Sequence, residues 1–115
     1  MDSSKKTFGK TTIAPEVLVS ITQLAALAVD GVSRLTAGPL DVNTLFKKGP
    51  SEGVNITVDN NVVYVDLYVI LKRDVNVIEV SHQIQHQVTR AISEMVGMEI
   101  GKVNIHVEDI DFSEA

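Results

Sequence analysis

The clearest pattern in the chain is the alternation from Val62 to Lys72. Val63, Val65, Leu67, Val69 and Leu71 fall on one side, and Tyr64, Asp66, Tyr68 and Ile70 on the other. A period of two from Val63 to Leu71 predicts a strand with one face buried. Val54, Ile56 and Val58 alternate in the same way just before it. Asp59-Asn60-Asn61 separates the two runs and predicts a tight hairpin turn, because Asn tolerates positive φ. The period then changes. Asn76 and Glu79 have the spacing of a capping box. Val77, Val80, Ile84, Val88, Ala91, Ile92 and Met95 recur as one helical stripe, and Gly97 supplies a left-handed stop with Met98 placed for the apolar contact that follows such caps. Val103, Ile105 and Val107 alternate in a closing strand.

The N-terminal half is less regular. Pro15 suits the first position of a helix, where its missing N–H costs nothing. Val17, Ile21, Leu24, Ala25 and Ala28 recur at helical spacing, and Asp30-Gly31 reads as the stop. Ala14 is a weak N-cap. Lys10–Ile13 and Val32–Leu35 are candidate short strands. From Thr36 to Glu52 the pattern lapses, punctuated by Gly38-Pro39 and Gly49-Pro50. Within that connection Leu40–Lys48 has enough apolar spacing for one or two helical turns. A connection of this length without strong periodicity is either functional or mobile. The expected architecture is α+β, a two-layer sandwich with two helices on one face of a small, mainly antiparallel sheet, in the order βα(β)ββαβ. A ferredoxin-like arrangement is one way to connect it. Residues 1–9 read as a mobile polar arm, 10–110 as a single domain and 111–115 as an acidic tail, with Asp109, Asp111 and Glu114 in a fraying end.

Composition narrows the function. The chain has 115 residues, 44% of them hydrophobic, which is enough for one globular domain. It has no cysteine, so disulfides, zinc–thiolate sites and thiol chemistry are excluded. No apolar run approaches the roughly 20 residues that span a bilayer, and the start lacks the apolar stretch of a signal peptide. The net charge of −5 disfavours non-specific binding to nucleic acid, and the basic residues are scattered.

The chemistry-bearing residues are few. Glu79, His82, His86 and Arg90 share one face of the second helix. Two histidines four apart are a metal-binding spacing, but the face lies opposite Ile84 and Val88, so a solvated polar face is the favoured reading. Tyr64, Tyr68 and Ile70 share the strand face that two helices on the opposite side leave open, with Asn55, Thr57, Asn104 and His106 beside them. Aromatic side chains on such a face suit docking of a second copy or another partner, or stacking of single-stranded RNA. His106 on its own reads as a surface residue, and Asp66 has no histidine or nucleophile that sequence spacing brings to it. Leu45-Phe46-Lys47-Lys48 pairs apolar and cationic groups that suit either an anionic membrane surface or packing on the core. No phosphate loop and no Ser–His–Asp spacing occurs.

Four segments together resemble the alkaline-shock (envelope stress response) family of small bacterial proteins. They are Ile13-Ala-Pro-Glu-Val-Leu18, Leu24-Ala-Ala-Leu-Ala-Val-Asp-Gly-Val32, Val63-Tyr-Val-Asp-Leu-Tyr-Val69, and the run from Val77-Ile-Glu-Val80 through Met95-Val-Gly-Met98 to Val103-Asn-Ile-His-Val107. The resemblance covers about residues 10–110 and rests on order and spacing. It implies a non-enzymatic, cytoplasmic bacterial protein, in some members held at the inner membrane face by a separate membrane-anchored partner. The expectation is an envelope stress adaptor or scaffold that contacts itself and such a partner. Tyr64, Tyr68, Ile70, Glu79, His82, His86 and Arg90 are its candidate contact residues, and no cofactor, metal or small-molecule substrate is expected. Two alternatives stay open, a regulatory module for a lipid-metabolism enzyme and an RNA-binding module using the open sheet face.

Overall fold

A computed structural model describes residues 13–37 and 53–113. The elements are α1 (Pro15–Leu27), β1 (Val32–Leu35), β2 (Val54–Asp59), β3 (Val62–Lys72), α2 (Val77–Val96) and β4 (Glu99–Asp111). The expected α+β sandwich is present, with both helices over one face of a four-stranded sheet. The candidate strand at Lys10–Ile13 and the segment Leu45–Lys48 fall outside the described residues, apart from Ile13, which precedes the helix in no regular element.

β3 organises the sheet. Val63, Val65, Leu67, Val69 and Leu71 are each at most 1% exposed, so all five point into the helical layer as the alternation requires. Burying each contributes roughly 1.5–3 kcal/mol relative to leaving it in water. One edge of β3 is shared. β2 pairs antiparallel with residues 62–67 of β3, and β1 pairs antiparallel with residues 69–71. The two short strands run end to end in the same direction, so they form one edge strand in two pieces. Tyr68 sits at the join, where its N–H donates to Gly53 O and its carbonyl accepts from Thr36 N, both at 2.9 Å. Gly53 has φ +80, and a Cβ there would lie 2.8 Å from Leu35 Cβ, so only glycine fits between the abutting ends.

β4 occupies the other edge and runs parallel to β3 over nearly its whole length. A parallel neighbour needs a crossover, and α2 provides it. β3 and β4 are therefore adjacent, whereas the ferredoxin-like arrangement splits its βαβ unit with an intervening strand. β4 also extends through Asp111, further than an acidic tail from residue 111 would allow. The reason is a fastening: Asp111 Oδ2 accepts from Ser33 Oγ at 2.7 Å and from Arg34 Nη1 at 3.2 Å. Its other oxygen accepts from the backbone N–H and hydroxyl of Ser113 at 3.0 and 2.7 Å. The Ser33 hydroxyl is the largest influence, followed by Ser113 and then Arg34, and together they hold the Asp111 carboxyl well below the usual range.

The helices follow their caps. Asn76 Oδ1 accepts from Glu79 N at 3.0 Å. Gly97, at φ +78, ends α2 by donating to Ile92 O and Ser93 O. Val80, Ile84, Val88 and Ile92 are buried, but Met95 is 71% exposed and Val77 also faces solvent, so the core stripe is shorter than the pattern suggests. In α1 the buried face is Leu18, Val19, Thr22 and Ala26, with Ile21 and Ala25 at its margin. The stripe expected from spacing included Val17, Leu24 and Ala28, all of which are exposed. Glu16, Ser20 and Gln23 mark a narrow polar stripe and most of the remaining positions are apolar, so spacing alone does not select which apolar side is buried. The Thr22 hydroxyl is satisfied by donating to Leu18 O at 2.8 Å. α1 ends at Leu27 with Ala28 as its cap, earlier than Asp30-Gly31. Gly31, at φ +107, instead turns the chain into β1, and a Cβ there would meet Val80 Cγ2 at 2.9 Å.

Candidate interaction site

The helices cover one face of the sheet. On the other face no described element packs over β2, β3 and β4, and the polar side of the β3 alternation lies there. β3 presents Tyr64, Asp66, Tyr68 and Ile70, and the parallel register sets Asp66 against Asn104 and Tyr68 against His106. Parallel neighbours aligned in this way put their side chains on the same face. A cluster results. The Tyr68 and His106 rings stack with centroids 4.5 Å apart and planes 14° from parallel. His106 Nε2 lies 3.0 Å from Asp66 Oδ1, and Asn104 Nδ2 donates to the same oxygen at 3.1 Å. Asp66 thus holds the imidazole by its edge while Tyr68 supports its plane.

Tyr64 forms the second part of the face. The β3–β4 register shifts between Val63 and Tyr64, leaving Gly101 as the extra residue in β4. A Cβ on Gly101 would lie 2.5 Å from Tyr64 Cε1, so the ring packs on bare backbone. Tyr64 remains 40% exposed. Ile70 is on this face too but is only 7% exposed, between its register partners Arg34 of β1 and Asp109 of β4. So little of it is accessible that it offers little contact area to a partner, unlike the exposed contact residue expected from the sequence.

The remaining candidates lie on the opposite side of the molecule. Glu79, His82 and His86 are exposed on α2 and line a shallow groove with Ala28 and Asp30 from the end of α1. Arg90 is one turn further on and pairs with Glu94 at 3.1 Å, a surface i,i+4 contact. The seven candidates therefore separate into two surfaces. Among the described residues, no three His, Cys, Asp or Glu side chains come together in a way that would hold a metal ion.

The sequence reading placed Asn104 and His106 on the open face but did not pair His106 with Asp66. They are 40 positions apart, and only the parallel register of β3 and β4 joins them. The available signal was the strand–helix–strand order of Val62–Asp111, which is the arrangement that permits parallel neighbours.

Residues 3–112 match the alkaline shock protein 23 family, described by its cell envelope-related function. The chain belongs to that family. Similar members are themselves uncharacterised. YqhY of Bacillus subtilis strain 168 is 28% identical over 114 residues, covering 97% of this chain and 84% of that protein. Spy1535 of Streptococcus pyogenes serotype M6 is 37% identical over 103 residues, covering 89% and 79%. Among solved structures, the copper form of the MamM CTD superposes with a TM-score of 0.54 at 14% identity, covering 88% of this chain and 91% of that one. That likeness shows a shared fold.

Proposed function

We propose that this family member is a non-catalytic adaptor of the bacterial cell envelope, and that it associates with a second copy through the open sheet face. The observation that carries this reading is the preorganised cluster on that face. Tyr68 and His106 are stacked and braced by Asp66 and Asn104, Tyr64 is seated on Gly101, and no described element covers them. Rigid aromatic side chains lose little entropy on docking, which is why they anchor protein interfaces. The geometry offers a surface rather than a cleft, and the family's envelope-related function fits a protein that works by contact. No described helix is long and apolar enough to cross a membrane; in this proposal a place at the inner membrane face is supplied by a membrane-anchored partner.

The test has two parts. Sedimentation velocity is run on the wild type and on Tyr68→Asp, which puts a charge into the stack at a half-exposed site. Self-association in the wild type and its loss in the variant are expected; an unchanged oligomeric state would remove the sheet face from the proposal. Crosslinked capture from the source cells, with and without nuclease, should recover an integral membrane protein in both cases. Recovery of soluble lipid-metabolism enzymes alone, or of RNA-dependent partners, would replace the adaptor reading.

A further inference from the structure

β4 is an outermost strand of the sheet, and among the described residues no strand pairs with its free side. Its register against β3 slips twice, at Gly101 and at Glu108, and runs without a break from Lys102 to Val107. The direction of the backbone groups in that stretch follows from β3. Tyr68 turns its N–H and carbonyl to the β1–β2 edge, so by alternation Val65, Leu67 and Val69 turn theirs to β4. In a parallel pair such groups bond the residues on either side of the aligned one. Lys102, Asn104 and His106 are therefore engaged with β3, and Val103, Ile105 and Val107 direct their N–H and carbonyl groups outward. Gln85 of α2 agrees with this assignment, since its Nε2 donates to Val103 O at 2.9 Å.

An edge of this kind accepts another strand, and the side chains along it choose which. Ile105 and Val107, on the helical side, are only partly covered, so a strand laid alongside completes their burial. Lys102 and Glu108, both exposed, stand at opposite ends of the unbroken stretch. An antiparallel copy of the same strand therefore meets each charge with its opposite. Centred on Ile105, that copy sets Lys102 against Glu108, Val103 against Val107 and Asn104 against His106, and the last two pairs keep their side chains on matching faces. Moving the centre to Asn104 sets Lys102 against His106 and loses the match. The helix above the edge is compatible with a close neighbour. Ser81 and Thr89 lie one turn either side of Gln85 and carry no charge, so two helical layers do not repel there.

We infer that β4 pairs edge to edge with β4 of a second copy, antiparallel and centred on Ile105, so that two sheets join into one. The contact lies on the rim of the sheet, apart from the aromatic cluster on the open face. Its seam is short, and Val103 O is shared with Gln85, so it is the weaker of the two contacts and belongs with small, transient interfaces. Its biological sense rests on the adaptor reading. A partner that gathers copies at one membrane raises their effective concentration, which populates a contact too weak for dilute solution.

The chain has no cysteine, so a single introduced thiol reports the register. The experiment uses the full chain carrying Tyr68→Asp, whose charge opposes the open-face contact, so that the two contacts succeed or fail separately. Ile105→Cys then lies opposite its own copy, within range of a disulfide. Under mild oxidation it forms a covalent dimer faster than Val58→Cys, a more exposed position on β2. Adding Lys102→Glu or Glu108→Lys to Ile105→Cys slows the dimer about tenfold, because like charges then meet at both ends of the seam. Both positions are exposed, and circular dichroism checks that the variants fold. Combining the two substitutions in one chain restores the rate, as does mixing the two single variants, since glutamate again meets lysine. Dimer formation by Ile105→Cys no faster than by Val58→Cys would overturn the inference. So would a charge-swapped double variant as slow as either single one, because the two charges would then not meet across the seam.

Discussion

Several side chains here do work that their local sequence does not announce. Gly101 reads as an ordinary glycine in an alternating strand, yet its missing Cβ is what lets Tyr64 lie on the backbone of β4. Gly101→Val should push the ring off that seat and destabilise the fold by about 1–3 kcal/mol, the usual cost of overpacking; urea denaturation measures the loss. The same holds for Asp66, whose two contacts on one oxygen fix both Asn104 and His106. Asp66→Ala leaves His106 stacked on Tyr68 but without its lateral hold. The pair is part-exposed, so the change in stability should stay within about 1 kcal/mol. The His106 ring resonances should broaden or shift in NMR while the core resonances stay in place. Side-chain roles of this kind depend on which strands are neighbours, and one-dimensional spacing does not contain that information for Asp66 and His106.

At the scale of elements, legibility tracks contrast between faces. β3 was readable because every second residue is apolar and the intervening ones are mostly polar. α2 was readable for the same reason, and its ends were marked by Asn76 and Gly97. Asn76→Ala should cost about 1 kcal/mol by removing the one side-chain acceptor at the helix start, seen as a lower melting temperature. The helix also offers a direct contrast between pattern and structure. Ile84 and Met95 both sit on the stripe that spacing marks as core, but Ile84 is fully buried and Met95 is not. Ile84→Ala should lose about 2–5 kcal/mol, whereas Met95→Ala should stay within about 0.5 kcal/mol, both read from denaturant midpoints. α1 was misread at the same level because it lacks contrast. Leu18, Leu24 and Leu27 are equally good core residues by type, and only the position of the sheet decides among them. The split edge was half legible: Val54–Val58 alternates, Val32–Leu35 is short and does not, and nothing in either run says that they share one edge of β3.

Across the whole molecule, β4 joins two distant edges of the sheet. It begins next to the hairpin, follows β3 along its length, and ends with Asp111 fastened to Ser33 and Arg34 of β1 on the far side of β3. The fastening depends on an ionised carboxyl. Its folded pKa lies below the unfolded value near 3.9, so the contribution is complete above that pH. It declines only as the pH falls below about 3.9 towards the lower folded value. The Ser113 amide, which donates to Asp111, should hold its NMR position through the usual carboxylate range near 3.9 and move only in stronger acid, because the native-state signal follows the lowered folded pKa. Asp111→Asn should show the displaced position at every pH. This fastening also explains why an acidic C-terminus that looked fit to fray is part of the sheet: the partners of Asp111 lie 77 and 78 positions upstream. The two candidate surfaces, the helix face of Glu79, His82, His86 and Arg90 and the sheet face of Tyr64, Tyr68 and Ile70, lie on opposite sides of the molecule because both helices cover the same side of the sheet.

The divided edge strand has a consequence for engineering. The chain leaves the sheet after Leu35 and returns at Gly53 with the two points in contact. Between such ends the entropy of closing a loop rises only by about 0.6 kcal/mol per doubling of length. Because Leu35 and Gly53 already abut, lengthening the chain between them changes its closing entropy without requiring either end to move. This makes the break a natural insertion port. A fluorescent reporter joined there would leave and re-enter the fold at the edge of the sheet, where the end of β1 meets Gly53.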